Sequence, residues 1–185
     1  MPNQSTSSPP DPPYLIRTGE LQPDALHLRP HVLNPAVQRL QLSLGDSVGL
    51  TKTGIHLIRL RVRPQQTSTV LHWHGVDDEW FYVLEAGDDA VVCVQEGAGH
   101  EVKEHKVRPG DFAGFPAGKP WGHAFKSGNA ELVYLCGGTS TSVDECHYPL
   151  LGKRVLIDRG VGKASWVVSE DKVHGQKVQK YATRE

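Results

Sequence analysis

The chain has 185 residues, of which 38% are hydrophobic and 22% charged. This fits one globular domain with extensions and enough apolar side chains for one core. Lys plus Arg number 20 against 21 Asp plus Glu, so no net charge favours nucleic acid or an anionic membrane as a partner, and no apolar run reaches the roughly 20 residues needed to span a bilayer.

The opening segment, residues 1–13, is rich in Pro, Ser, Asn and Gln. Such a composition predicts a flexible tail. It has neither the basic start nor the apolar run of a secretory signal, so a cytoplasmic location is expected. Residues 14–53 mix short apolar clusters with Pro23, Pro30 and Pro35. They read as an arm packed on the main body, with one short helix over 36–42. From Gly54 the pattern changes to short β-runs separated by turn signals. Residues 55–63 alternate, with Ile58, Leu60 and Val62 assigned to one buried face. Strands are predicted next over 70–74, 79–85 and 90–95, with a polar edge strand over 101–107. Further strands are predicted over 112–115, 121–126 and 131–136. Gly137-Gly138 reads as a turn. The stretch after Gly152 has room for one or two more strands, and 169–185 reads as a polar tail. Many short strands with Gly-rich turns and no long amphipathic helix indicate an all-β antiparallel sandwich or barrel over 54–168.

Cys93, Cys136 and Cys146 form no CxxC pair and are odd in number, so reduced thiols are expected. The chemistry-bearing signal lies in His72-Trp73-His74. Side chains alternate along a strand, so His72 and His74 point one way and Trp73 the other. Glu79 opens the next strand after a four-residue turn and can return a carboxylate to the same place. His123 follows the turn Pro116-Ala117-Gly118. Three imidazoles and one carboxylate suit one divalent transition metal, whether Fe, Mn, Zn, Ni or Cu. The flanking apolar residues sharpen the pattern, because polar groups placed inside an apolar frame need partners.

Two blocks carry a family resemblance. His72-x-His74-x4-Glu79 with Gly87 resembles the first cupin motif, and Gly110-x5-Pro116-x-Gly118 with His123 and Asn129 resembles the second. Gly87 sits one residue late, and Lys119-Pro120-Trp121-Gly122 lengthens the approach to His123. The stretch FPAGKPWGH is also similar to single-domain cupins of unassigned activity. The resemblance implies a double-stranded β-helix (a jelly-roll barrel), with His72, His74, Glu79 and His123 as metal ligands. It implies a metal-dependent enzyme acting on a small organic molecule, with a dioxygenase ranked first. Non-redox lyases, decarboxylases and isomerases follow, and then a non-catalytic cupin that holds a metal and a ligand.

Glu79 is the candidate catalytic group, able to leave the ion and act as a base. Phe81, Val83, Trp121 and Phe125 are expected to line an apolar pocket suited to a partly aromatic substrate. Asp144, His147 and Tyr148 are either acid–base groups at a cavity mouth shared with the 119–122 loop or parts of a structural loop. Arg59 and Arg61 either bind a substrate carboxylate or flank the sheet in water. His56 reads as a satisfied or solvated histidine, and His100 and His105 as exposed. The arm and the strand over 55–63 carry apolar side chains that one barrel does not cover, so a homodimer is predicted. Light scattering on micromolar protein checks this, with a dimer mass expected and a monomer mass alone refuting it.

Overall fold

A computed structural model describes residues 11–22, 24–62 and 67–175. The predicted flexible start and the final ten residues therefore lie largely or wholly outside the described residues, as does Arg63. In chain order the strands are β1 (His27–His31), β2 (Asn34–Ser43), β3 (Thr53–Leu60), β4 (Trp73–His74), β5 (Glu79–Glu85), β6 (Val91–Glu96) and β7 (Lys103–Lys106). They continue with β8 (Phe112–Phe115), β9 (Trp121–Lys126), β10 (Leu132–Thr139), β11 (Val143–Tyr148), β12 (Lys153–Asp158) and β13 (Ala164–Ser169). A single-turn helix, α1 (Leu44–Ser47), joins β2 to β3.

The strands form a six-stranded sheet in the order β1-β2-β3-β10-β5-β8, a four-stranded sheet β13-β12-β11-β4 and a three-stranded sheet β7-β6-β9. Their pairings are antiparallel. An isolated bridge between His72 and His123 links the approach to β4 with β9. The second wall therefore runs through both smaller sheets and faces the six-stranded one. Between the walls lies a core of Ile58, Leu60, Phe81, Val83, Val92, Phe125, Leu132 and Tyr134. This is the jelly-roll barrel that the family resemblance implies, within the antiparallel sandwich or barrel class expected from the strand spacing.

The inward face of the large sheet changes character along its strands. Leu60 and Ile58 sit in the core at one end of β3, while His56 and Gly54 continue the same face at the other. On β5 the sequence runs from Val83 through Phe81 to Glu79, and on β10 from Leu132 through Tyr134 to Cys136 and Gly138. The register brings the polar ends together, with Cys136 opposite both His56 and Phe81, and Gly138 opposite Glu79. One half of the barrel is thus packed, and the other half is lined with functional groups.

Three expectations need correction. The helix over 36–42 is strand, because β1 and β3 flank this segment and offer ladder partners on both edges, and that tertiary context outweighs local preference. Val62 does not share the buried face of Ile58 and Leu60, since β3 ends at Leu60 and Val62 is 52% exposed. Gly137 and Gly138 are not a turn but lie within β10. A Cβ on Gly138 would collide with the Asp78 carbonyl oxygen, and one on Gly137 with the Trp80 ring. These glycines let the 75–78 turn close down on the sheet. Gly138→Ala should therefore cost about 1–3 kcal/mol by overpacking, read as a lower Tm. Gly19→Ala, where an added methyl meets nothing, should leave Tm unchanged.

Candidate metal centre

His72 and His74 flank Trp73 on one short extended segment, and Glu79 begins β5 after the turn. Ligand atoms of His72, His74 and Glu79 lie within 4.8 Å of one another. Glu79 Oε2 is 3.8 Å from His72 Nε2, 3.5 Å from His74 Nε2 and 2.8 Å from His123 Nε2. His123 stands outside the three-residue group but meets the same carboxylate oxygen. The backbone ladder delivers it there, since His72 and His123 exchange N–H to O bonds of 3.3 and 2.8 Å. The turn is held from three sides. Asp144 Oδ1 accepts the Val76 and Asp77 N–H groups, each at 3.2 Å. Asp78 Oδ1 accepts the Ala117 N–H at 2.8 Å. Gly118, whose φ of +71° favours glycine, donates its N–H to the His74 carbonyl at 2.9 Å.

The far nitrogen of each ring decides what the near one presents. His72 Nδ1 lies 3.0 Å from the Val70 carbonyl oxygen, and His123 Nδ1 lies 3.0 Å from that of Trp121. His74 Nδ1 lies 2.6 Å from Asp144 Oδ2. Each of these oxygens only accepts, and at His74 the 2.6 Å contact to Asp144 is shorter than the 3.3 Å contact to the Cys146 thiol, so each Nδ1 carries the proton. In the neutral form that binds a metal, the rings would therefore aim three Nε2 lone pairs at one carboxylate oxygen. That arrangement is repulsive unless a cation sits among them, and it is the backing expected of metal-bound histidines. The residues fit a divalent metal.

Protonation in the absence of an ion follows the same geometry. Burial, outweighing the pull of Glu79, holds His72 down at about 3. Burial also opposes charge on His74, but hydrogen bonds to Asp144, Cys146 and Glu79 together raise it well above the usual imidazole range. Burial acts against the Glu79 carboxylate too, yet its histidine partners hold it well below the usual range. The other Glu79 oxygen, Oε1, accepts the Cys136 thiol at 3.2 Å.

A cavity of about 410 Å³ opens over this cluster, with His72, His74, Glu79 and Phe81 in its lining. Of the substrate-contacting residues expected from sequence, Phe81 alone lines it. Val83 and Phe125 are buried in the packed half of the barrel. Trp121 is 39% exposed at the start of β9 and belongs to no part of the lining. Asp144 stands behind His74, fully buried, and does not reach the cavity. His147 lies on the outer side of β11, stacked on Trp73 at 3.7 Å. The segment around it is a strand paired with β4 and β12, where alternation turns only every second side chain inward. Tyr148 is the one member of the 144–149 segment in the lining, stacked on His72.

The 119–122 loop, Asp144 and His147, expected at the cavity mouth, are not in the lining. The lining includes Pro30, His31, Val32, Ser140 and Arg159. Arg59 faces away from the cavity toward Glu131 at 3.9 Å, and Arg61 is absent from the lining. The lining is more polar than the sequence suggested, with Arg39, Gln41, His56 and Cys136 unforeseen. The missed residues on the arm had one available signal, the alternation of Arg39, Gln41 and Ser43.

The family model described as a cupin domain matches residues 58–138, a span containing all four candidate ligands. A candidate sugar phosphate isomerase from Acidithiobacillus ferrooxidans is 28% identical with a TM-score of 0.76, covering 90% of this chain and 98% of that one. A sugar phosphate isomerase of the cupin superfamily from Silicibacter pomeroyi is 32% identical with a TM-score of 0.67, covering 83% of this chain and 94% of that one. A predicted oxalate decarboxylase from Thermotoga maritima, at 16% identity and a TM-score of 0.50, covers 69% of this chain and 99% of that one and shares the fold. No curated protein matches. The chain belongs to the cupin superfamily.

Asp144 joins a ligand-bearing ring to the turn that carries Glu79, so its removal tests how the site is held. Asp144→Ala should destabilise the protein by roughly 3–5 kcal/mol, as when one partner of a buried ion pair is removed. Chemical denaturation measures this. His147→Ala, which removes a buried ring stacked on Trp73, should alter Trp73 fluorescence.

Proposed function

We propose that this cupin is a metal-dependent enzyme that isomerises a small, polar, anionic molecule of the sugar phosphate class. In this reading His72, His74, Glu79 and His123 hold one divalent transition metal. The observation that carries it is a cavity that opens on His72, His74 and Glu79 and is also lined by Arg39, Gln41 and His56, with the Nδ1–H groups of the clustered histidines turned away from it. The cavity volume lies at the small end of the range for small-molecule sites. Two structural relatives carry the name sugar phosphate isomerase, which supports the substrate class. The expected partly aromatic substrate rested on Phe81, Val83, Trp121 and Phe125, and of these only Phe81 lines the cavity.

When bound, the ion supplies Lewis-acid polarisation of a substrate oxygen. Glu79 is assigned to the ligand set rather than to proton transfer, because both of its oxygens are engaged, Oε2 by imidazoles and Oε1 by the Cys136 thiol. The Cys136 thiol, raised well above its usual range first by burial and then by Glu79, stays a donor and keeps the carboxylate in one orientation. Asp144 fixes the His74 ring. Tyr148, raised mainly by burial, keeps its phenolic proton and covers the His72 ring.

The test joins metal content to a proton-exchange assay. Protein purified without added metal should contain a divalent transition metal by elemental analysis. His72→Ala/His74→Ala should lose that metal and keep the β-rich circular dichroism of the wild type. In deuterated water the wild type should exchange a carbon-bound proton of an aldose or ketose phosphate, seen by NMR, and the double variant should not. Oxygen uptake matching substrate loss would overturn the isomerase reading, and retained metal in the double variant would overturn the ligand set.

A further inference from the structure

We propose that His31, His56 and Arg39 form a donor wall that binds an oxyanion, a phosphate or a carboxylate, of the molecule in this cavity. The proposal rests on the cavity being the substrate site. All three residues line it.

One group in this wall has only one possible role. A guanidinium donates and never accepts. Arg39 Nε lies 2.9 Å from the Gln41 side-chain oxygen, which fixes the orientation of the Gln41 amide. Its NH₂ end must then face His56 Nδ1, 3.2 Å away. That amide nitrogen only donates, so His56 Nδ1 accepts. Ser43 Oγ, 2.9 Å from the same ring nitrogen, can donate there as well. The proton of neutral His56 is therefore on Nε2. For His31 the backbone N–H of Leu33 donates to Nδ1 at 3.1 Å, which again leaves the proton on Nε2.

The histidines of the cavity and the ligand cluster thus fall into two tautomer classes. His72, His74 and His123 have their Nδ1 atoms backed by acceptors and present bare Nε2 lone pairs. His31 and His56 have their Nδ1 atoms backed by donors and present Nε2–H groups. Among the described residues, no group hydrogen-bonds either of those Nε2 atoms. Burial, with a smaller contribution from Arg39, lowers the pKa of His31, and burial is the largest cause of the lowering at His56. Both rings therefore act as neutral donors.

Arg39 supplies the charge. Its Nε is held by Gln41 and its Nη1 by the Ser68 carbonyl at 3.2 Å, while Nη2 has no partner among the described residues. Arg159, the other arginine in the lining, is already bound to Asp77 and to the Thr141 carbonyl. Two N–H groups and a cation with a spare donor match the lone pairs of an oxyanion. They would clash with another donor such as an ammonium group.

The experiment uses full-length, ¹⁵N-labelled protein loaded with Zn(II), with long-range imidazole correlations assigned from His31→Gln and His56→Gln variants. His31 and His56 should show the Nε2–H tautomer, and His72, His74 and His123 the Nδ1–H tautomer. Gln41→Glu, which turns the donor facing Nδ1 into an acceptor, should move His56 to an Nδ1–H form. Inorganic phosphate and acetate are then titrated separately. A saturable shift of both Nε2–H signals with phosphate assigns a phosphate group, and one with acetate a carboxylate. Arg39→Met should weaken that binding about tenfold or more, as expected for losing a charged hydrogen-bond partner.

The same titration on His72→Ala/His74→Ala separates this proposal from the metal reading, because a persisting shift sustains the donor wall whether or not an ion is bound. An Nδ1–H tautomer for wild-type His56 would overturn the proposal. So would the absence of any shift with both anions, or a shift that needs the metal ligands and ignores Arg39→Met.

Discussion

The reciprocal backbone pairing of His72 with His123 is the constraint on which this molecule turns. It stitches the four-stranded sheet to the three-stranded one and so completes the wall facing the large sheet. The same two residues carry imidazoles whose centroids end 5.1 Å apart. Closing the barrel and bringing together two of the four candidate ligands are therefore one event. Glu79 reaches them from the opposite wall, and Asp144 links His74 to the turn that starts β5. A fold error large enough to separate the ligands would also have to open the barrel.

The second organising feature is the way backbone and side-chain partners dictate proton positions. A histidine alone does not know whether it is a ligand or a donor. A carbonyl or carboxylate behind Nδ1 makes it a ligand, and an N–H behind Nδ1 makes it a donor. In this barrel the β4–β9 wall offers carbonyl groups and Asp144, while the β1–β2 edge offers the Leu33 amide and the Gln41 side chain. Each wall therefore suits a different partner, one a cation and the other an anion. The packing below supports this polarity, since Phe81 and Phe115 cover the His123 ring and keep it away from water.

Much of the fold was legible because strand alternation and turn residues are local signals. The ligand candidates were legible for the same reason, as HxH on a strand and a glutamate at the next strand's start need no tertiary information to be suspected. The remainder was hidden by pairing. Residues 36–42 have no marked strand composition and become strand because two neighbours flank them. Arg39 and His56 matter only once β2 and β3 lie side by side. Asp144 and His147 looked equivalent in sequence, three residues apart, yet β11 turns one behind the metal ligands and the other outward. Val83 and Phe125 looked like pocket residues because they sit near ligands in the sequence. They lie further along the same strands, past the boundary between cavity and core.

That boundary explains how the barrel tolerates so many buried polar groups. Grouping polar side chains at one end of the inward face leaves the other end free for Ile58, Leu60, Val83, Leu132 and their neighbours to pack without interruption. Burial of this apolar half offsets the cost of desolvating the imidazoles and Glu79, which mutual hydrogen bonds only partly recover. The division also places the strain where a ligand can relieve it. In the packed half apolar side chains fill the interior, while in the cavity half three imidazole Nε2 atoms face a carboxylate and two N–H groups face open space. A cation on one side and an oxyanion on the other would complete both sets, so the groups the core leaves unsatisfied define the chemistry that the cavity can accept.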